Sequence, residues 1–190
     1  MGRLLYTSIT SLDGYVADED GGFDWSMPDE EVHRFVNDLE RSVPLQLYGR
    51  RLYEVMQYWD FVPAHGEPSA GTEYAGIWQA AEKVVFSRTL SGVATGGTRL
   101  EREFDADAVR RLKDEAAGNL SIGGPELAGQ ALKAGLVDEV QQFLSPVIVG
   151  GGKRFLPDGL RLGLELLDEE RFGNGVVYLR YRVRNSPEAG

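Results

Sequence analysis

The sequence contains no cysteine and only two histidines, His33 and His65, in 190 residues. Disulfides, thiolate nucleophiles and iron–sulfur clusters are thereby excluded. The thiolate-held zinc of a base deaminase is excluded with them. The two histidines are too sparse for a metal site, so no metal is expected. Positive charge is also scarce: 20 Lys and Arg stand against 30 Asp and Glu, a net charge of −10. A general nucleic-acid surface needs clustered cations, and no nucleic-acid partner is expected. No apolar run approaches the roughly 18 residues of a membrane helix. The first residues enter a strand-like run with no leader pattern. A cytoplasmic, membrane-free protein is the expectation.

What is present is an ordinary globular composition, 42% hydrophobic and 26% charged, enough for one domain with one sizeable core. That domain is expected over 1–185, with a flexible tail at 186–190. Residues 3–10 (RLLYTSIT) read as a first strand, and Asp13-Gly14 and Gly21-Gly22 as turns. Pro28 is expected to start a helix with Asp29, Glu30 and Glu31 in its first turn, and Val32, Phe35, Val36 and Leu39 give it one apolar face. Further strands are expected at 45–48, 82–87, 119–122 and 138–149, the last broken near Pro146. Helices are expected at 50–59, 105–117 and 125–134, a loop at 63–71 and a flexible corner at Gly150-Gly151-Gly152. Two closing strands, 162–172 and 176–184, flank the hairpin signal Gly173-Asn174-Gly175. Alternating strands and helices imply a three-layer αβα sandwich with a mostly parallel sheet and a C-terminal antiparallel hairpin. Ligands in such folds bind beyond the carboxyl ends of the strands.

Three strand ends carry groups suited to a phosphate. Gly123-Gly124-Pro125 opens a helix, where free amides face an anion and glycine admits it closely. Gly49-Arg50-Arg51 and Ser87-Arg88-Thr89 add guanidinium and hydroxyl groups. Each alone could be a plain turn or a solvated charge. Their shared placement in an acidic chain favours a phosphorylated cofactor. Asp13 reads equally as a turn residue and as an organiser of a loop beside a reacting ring. Trp25-x-x-Pro28-x-Glu30 places Glu30 in the first helical turn. There it either complements the helix dipole or meets a heterocycle edge and helps deliver a proton. His33 reads as a helix-surface residue and His65 as a loop residue; Tyr53, Tyr58 and Trp59 read as packing or as an aromatic ledge.

Six segments, in order, resemble the dihydrofolate reductase-like proteins, especially the reductase domain of riboflavin biosynthesis. They are Ser11–Ala17 (SLDGYVA), Asp24-Trp25-x-x-Pro28, Tyr48–Glu54 (YGRRLYE), Val84–Leu90 (VVFSRTL), Ile122–Leu127 (IGGPEL), and Leu136–Glu139 (LVDE) through Pro146–Gly152 (PVIVGGG). The resemblance implies NADPH as cofactor. It puts Gly123 and Gly124, with Pro125, Glu126 and Leu127, at the pyrophosphate. Gly49, Arg50 and Arg51 fall at cofactor phosphates, Ser87 and Arg88 near the adenosine 2′-phosphate, and Ala17 also against the cofactor. It implies Ser8, Trp25 and Glu30 as substrate contacts, Glu30 and Asp13 as catalytic residues, and a homodimer. The implied reaction is hydride transfer to a small heterocycle, a pterin such as dihydrofolate or a ribosylamino-pyrimidine. The alternative is an NADPH- or flavin-binding module without turnover.

Overall fold

The chain is seen in a computed structural model that describes residues 1–65 and 67–184. The tail expected at 186–190 lies outside the described residues. In chain order the elements are β1 (Leu4–Ser11), β2 (Tyr15–Ala17), a 3-10 turn (Asp24–Ser26), α1 (Glu30–Glu40), β3 (Leu45–Gly49), α2 (Arg50–Met56), α3 (Tyr58–Phe61), α4 (Ala70–Ala80), β4 (Glu82–Phe86), β5 (Thr98–Glu101), α5 (Ala106–Glu115), β6 (Leu120–Gly123), α6 (Pro125–Lys133), β7 (Glu139–Ser145), β8 (Lys153–Arg154), β9 (Gly163–Arg171) and β10 (Val177–Arg184).

Eight strands form one sheet in the order β5-β4-β3-β6-β1-β7-β10-β9. The first six run parallel, and β10 and β9 join antiparallel as the closing hairpin. Helices cover both faces, as the dihydrofolate reductase-like αβα sandwich requires. Because side chains alternate across a strand, Leu4, Tyr6, Leu47 and Ile122 pack one way against Val109 of α5 and Ala128 and Ala131 of α6. Phe143 and Tyr178 face the other way, onto Val32, Phe35, Val36 and Leu39 of α1. That is the apolar face the periodicity of α1 implied. Among the described residues no helix is long and apolar enough to cross a membrane.

Several expectations are corrected. The helix expected from Pro28 begins at Glu30: Asp29 is its N-cap, in extended backbone, and its carboxylate accepts from Val32 N at 3.0 Å. A carboxylate that caps the first turn stands outside that turn. The helix expected over 50–59 is two pieces joined at Gln57, where Asp60 N reaches Gln57 O in a tight i→i+3 bond. The loop expected over 63–71 yields to α4 at Ala70, capped by the Ser69 hydroxyl on Thr72 N. Its buried residues Ala70, Tyr74, Ala75 and Trp78 recur at i, i+4, i+5 and i+8 and so share one face. Strand β5 (TRLE) has polar edge composition and is defined by its pairing with β4. The triple-glycine corner leads into β8, which pairs with β2. Strand β7 stops at Ser145, at the break expected near Pro146, which has no N–H to offer, and it does not resume over 147–149. His33 is half-buried on α1 and not simply a surface residue; its ring centroid lies 5.7 Å from Trp59 and 5.5 Å from Tyr74.

Under α1 and α4 runs a buried polar chain. Trp78 Nε1 donates to Tyr48 Oη (3.2 Å), Tyr48 Oη to Gln46 Oε1 (2.8 Å), and Gln46 Nε2 to Glu40 Oε2 (3.0 Å). Lys83 Nζ, also buried, sits 4.1 Å from the Trp78 ring centre and bonds Ala81 O. Burial pushes the Glu40 carboxyl up from 4.5 to about 7, against the opposing bond from Gln46. A carboxyl whose folded pKa exceeds its unfolded value binds more protons when folded, so its contribution to stability declines as pH rises from 4.5 to about 7. Glu40→Gln keeps an acceptor for Gln46 and removes the charge. At pH 8 the variant should be more stable than the parent by about 1–3 kcal/mol, with the gap closing by pH 5. Denaturant melts at the two pH values check this; a gap independent of pH would contradict it.

Candidate functional site

Parallel pairing brings the carboxyl ends of β4, β3, β6, β1 and β7 to one edge, and two cavities open there. The larger, of about 550 Å³, lies beyond β4, β3 and β6. It gathers Gly49, Arg50, Arg51, Ser87, Arg88, Gly124, Pro125, Glu126 and Leu127, nine of the residues the resemblance implied for a cofactor. Leu52, Phe86, Thr89 and Glu103 also line it, as do Arg102, Phe104, Gln130 and Lys153, which no sequence motif marks. Arg102 also follows a strand end, but of β5, whose short polar run carried no strand signal. Lys153 was hidden behind the triple glycine.

The local backbone explains the shape. Gly124 is the N-cap of α6 at φ +89°, with no side chain capping the helix, so the first-turn amides of a nine-residue helix are left for another acceptor. Gly123 does not line the cavity. It sits behind it, where a Cβ would fall 2.4 Å from Leu52 Cδ2, so glycine here lets α2 pack against β6. Ala17 lies on β2 beside Lys153 in the β2–β8 ladder, outside the cavity wall.

The cavity's charge is unlike that of the chain. Five of its lining residues are basic (Arg50, Arg51, Arg88, Arg102, Lys153) and two acidic (Glu103, Glu126). Most of the cations are already engaged. Arg50 bonds Glu54 and Thr89, both at 2.8 Å. Arg88 pairs with Glu103 at 3.1 Å. Arg102 holds Leu90 O at 2.5 Å and so pins the loop carrying Ser87 and Arg88. The Ser87 hydroxyl turns back onto the amides of Thr89 and Leu90. Lys153 pairs with Glu126 and holds that carboxyl below its usual range. Arg51 makes no hydrogen bond or ion pair among the described residues; its only attraction is to Glu126.

The second cavity, of about 200 Å³, lies by the ends of β1 and β7. Ile9, Pro28, Val32, Pro146 and Val176 give it apolar walls, and Trp25, Ser26, Ser145 and Asn174 add polar groups. Trp25, implied by the resemblance as a substrate contact, lines this cavity. Glu30 does not: it lines neither cavity, and its carboxylate accepts from Arg34 Nη2 at 2.7 Å and Ala70 N at 3.1 Å. The expected contact of Glu30 with a heterocycle edge has no cavity beside it, because the unforeseen helix α4 begins where the carboxylate accepts from the Ala70 amide. Ser8 lies midway along β1, its hydroxyl on Ile9 O at 3.2 Å, and lines neither cavity. Trp59 and Tyr53 form no ledge on either: Trp59 packs on His33 and Tyr74, and Tyr53 is buried with its hydroxyl against Thr95. Among the described residues no group of three His, Asp or Glu side chains could hold a metal ion.

Asp13 acts on the backbone between the two cavities. Its carboxylate accepts from Val149 N at 3.2 Å and Gly150 N at 2.8 Å. Leu12 N to Val147 O and Phe155 N to Gly14 O extend the seam. Gly152, at φ +122°, passes so close to β2 that a Cβ would lie 2.2 Å from Ala17 O. The segment 147–155 is thereby laid on 12–17, which sets Lys153 on the rim of the larger cavity. The Ser11 hydroxyl, with the two amides, holds the Asp13 carboxyl below its usual range.

These features match known proteins. The chain superposes on a putative riboflavin biosynthesis protein from Shewanella sp. PV-4 with a TM-score of 0.75, at 22% identity over 96% of this chain and 99% of that one. It superposes on the Thermotoga maritima diaminohydroxyphosphoribosylaminopyrimidine deaminase/5-amino-6-(5-phosphoribosylamino)uracil reductase with a TM-score of 0.66, at 17% identity over 96% of this chain and 57% of that one. At such identities the likeness establishes the fold. YyaP of Bacillus subtilis (strain 168), an uncharacterized protein, is 25% identical over 94% of both chains. The RibD C-terminal domain model matches residues 3–178, and the chain belongs to that family.

A depressed carboxyl stabilises the fold above its unfolded pKa, near 3.9, and loses that contribution as pH falls through the folded value. Asp13→Ala should therefore speed hydrogen exchange at the Val149 and Gly150 amides by about tenfold at pH 7, leaving β6 unaffected. The difference from the parent should shrink in acid. Equal acceleration along the whole sheet would contradict a local latch.

Proposed function

We propose that the chain is an NADPH-dependent oxidoreductase of the pyrimidine-reductase type, reducing a small heterocycle, a pterin or a pyrimidine. The observation that carries this reading is the larger cavity. In a chain of net charge −10, it joins five basic side chains to an uncapped helix N-terminus at a positive-φ glycine. These residues fit a dinucleotide bearing an extra phosphate. The α6 amides suit a pyrophosphate, the Arg51 guanidinium has donors to spare, and Arg88 can exchange the exposed Glu103 for a phosphate. Exposed pairs of that kind contribute little, about 0–1 kcal/mol, so the exchange costs little. Lys153 offsets the Glu126 charge that would otherwise repel an anion at the helix start. Bound NADPH would supply the hydride. The chain's own work is to orient the rings and exclude water, with Asp13 holding the segment that bridges the two cavities.

One observation favours a second reading, an NADPH- or flavin-binding module without turnover. The acid expected to help deliver a proton, Glu30, is committed to Arg34 and Ala70. Loss of absorbance at 340 nm with pterins and pyrimidines separates the readings: consumption of NADPH supports the reductase, and tight binding without consumption supports the module.

Two binding outcomes follow. No carboxylate without a cationic partner lines the larger cavity, so NADPH should bind more tightly than NADH by on the order of a hundredfold, the worth of two charged hydrogen bonds after desolvation. Arg88→Ala and Arg51→Ala should narrow the gap by weakening NADPH alone. Equal affinities in a direct titration would sink the assignment of these arginines. Gly124→Val puts a side chain on a φ of +89° at the helix start and should weaken NADPH by about tenfold or more in a chain that still melts cooperatively. Unchanged NADPH affinity would move the pyrophosphate elsewhere.

A further inference from the structure

We infer that the smaller cavity is the recognition site for an uncharged ring bearing a hydrogen-bond acceptor such as a ring carbonyl, and that the reactant carries no phosphate. The inference rests on the larger cavity being the dinucleotide site, and it names the class of molecule reduced beside it.

The two cavities are neighbours. The larger ends at β6 and the smaller begins at β1, the adjacent strand of the sheet. Their chemistry is opposite. The larger cavity is lined by seven charged residues, whereas the smaller has no Asp, Glu, Lys, Arg or His in its lining. A phosphate or carboxylate taken into the smaller one would lose its water and meet no counter-charge, the costliest burial there is. A neutral ring meets aliphatic and proline walls and keeps its dispersion contacts. At about 200 Å³ the space suits one or two fused rings, and its lining offers no cation to a ribose phosphate.

The polar groups define the rest of the ligand. Trp25 lines the cavity, and its Nε1 is buried without a hydrogen-bond partner among the described residues. An indole N–H can only donate, and this one is closed off from the cavity space, so a ligand there meets the Trp25 ring and not its N–H. In this fold such an orphan is uncommon, since the other indole of the buried layer, Trp78, is satisfied by Tyr48. Asn174 spends its Oδ1 on Val176 N at 3.0 Å, which leaves its amide N–H groups as donors. The Ser145 hydroxyl, on a residue only 4% exposed, can donate or accept. A set of donors in an apolar, uncharged cavity is complementary to a ring carbonyl or ring nitrogen. A carboxylate would instead have accepted from a ring N–H, so these donors read the opposite edge of a heterocycle.

The test uses the full chain labelled with ¹⁵N. Its three tryptophans give three indole N–H signals, and Trp25→Phe identifies the one from Trp25. With NADPH present at saturation, pterin, uracil and uridine 5′-monophosphate are titrated in turn. The expected result is a saturable shift of the Trp25 signal with pterin or uracil, and binding of uridine 5′-monophosphate at least tenfold weaker than that of uracil. Ser145→Ala should weaken the neutral ring severalfold and leave NADPH binding as in the parent. Uridine 5′-monophosphate binding as tightly as uracil overturns the inference. So does a Trp25 signal that no neutral ring moves at millimolar concentration. NADPH titrated alone separates this from the reading beneath it: if NADPH fails to bind while a neutral ring shifts Trp25, the dinucleotide reading fails and the ring site stands. If NADPH binds and neither ring does, the ring site fails alone.

Discussion

Parallel strand pairing is the constraint on which the rest of this structure depends. Two parallel neighbours cannot be joined by a tight turn, so each strand must be followed by a crossover that returns the chain to the starting edge. Leu4, Leu120, Leu45 and Glu82 stand in one row across β1, β6, β3 and β4. With the row aligned, β6, β3 and β4 end within a residue of one another, and the segments after them meet whether or not they are near in sequence. Gly49, Ser87, Arg102 and Gly124 come from four separate stretches and share one cavity for this reason.

Within that frame, glycine sets the distances. Gly123 lets Leu52 approach β6, Gly124 turns the chain into α6 at positive φ, and Gly152 lets the segment before β8 pass against β2. The three operate differently: the first removes a side chain, the second supplies a backbone conformation, and the third does both. Around them the charges are mostly paired in advance. Arg102 spends its donors on the backbone of the loop that carries Arg88, and Lys153 offsets Glu126. The cavity therefore combines fixed positioning with a few cations, Arg51 above all, whose donors have no protein partner among the described residues.

The buried polar side chains follow a similar division. Glu139, 1% exposed, is held between Arg3 at 2.8 Å and Arg180 at 2.7 Å, and the paired guanidiniums keep its carboxyl below the usual range despite burial. Glu40 has only an amide for a partner, and burial prevails. Two carboxylates of one chain thus shift in opposite directions, because one is answered by charge and the other is not.

The sequence by itself determined the class of the fold and the parts of the site that sit next to strong strand or turn signals. The runs RLLYTSIT, LQLY and EKVVFS, with a glycine or hydroxyl at or after the end of each, disclose strand ends; local chemistry marked Gly49, Arg50, Arg51, Ser87, Arg88, Gly124 and Pro125, the family resemblance added Glu126 and Leu127, and these nine line one cavity. Only the tertiary structure decided the rest. β5, β8 and β2 exist as strands because a neighbour supplies their hydrogen bonds, not because TRLE, KR or YVA prefer to be extended. Arg102 and Lys153 were invisible for the same reason. Glu30 was misjudged because its partner, the Ala70 amide, is 40 residues away. The Trp25 cavity unites side chains from positions 9, 25, 145 and 174. A sequence reports the local preferences of each segment, whereas the partner of a carboxylate or an indole is chosen by packing between segments that have no local knowledge of one another.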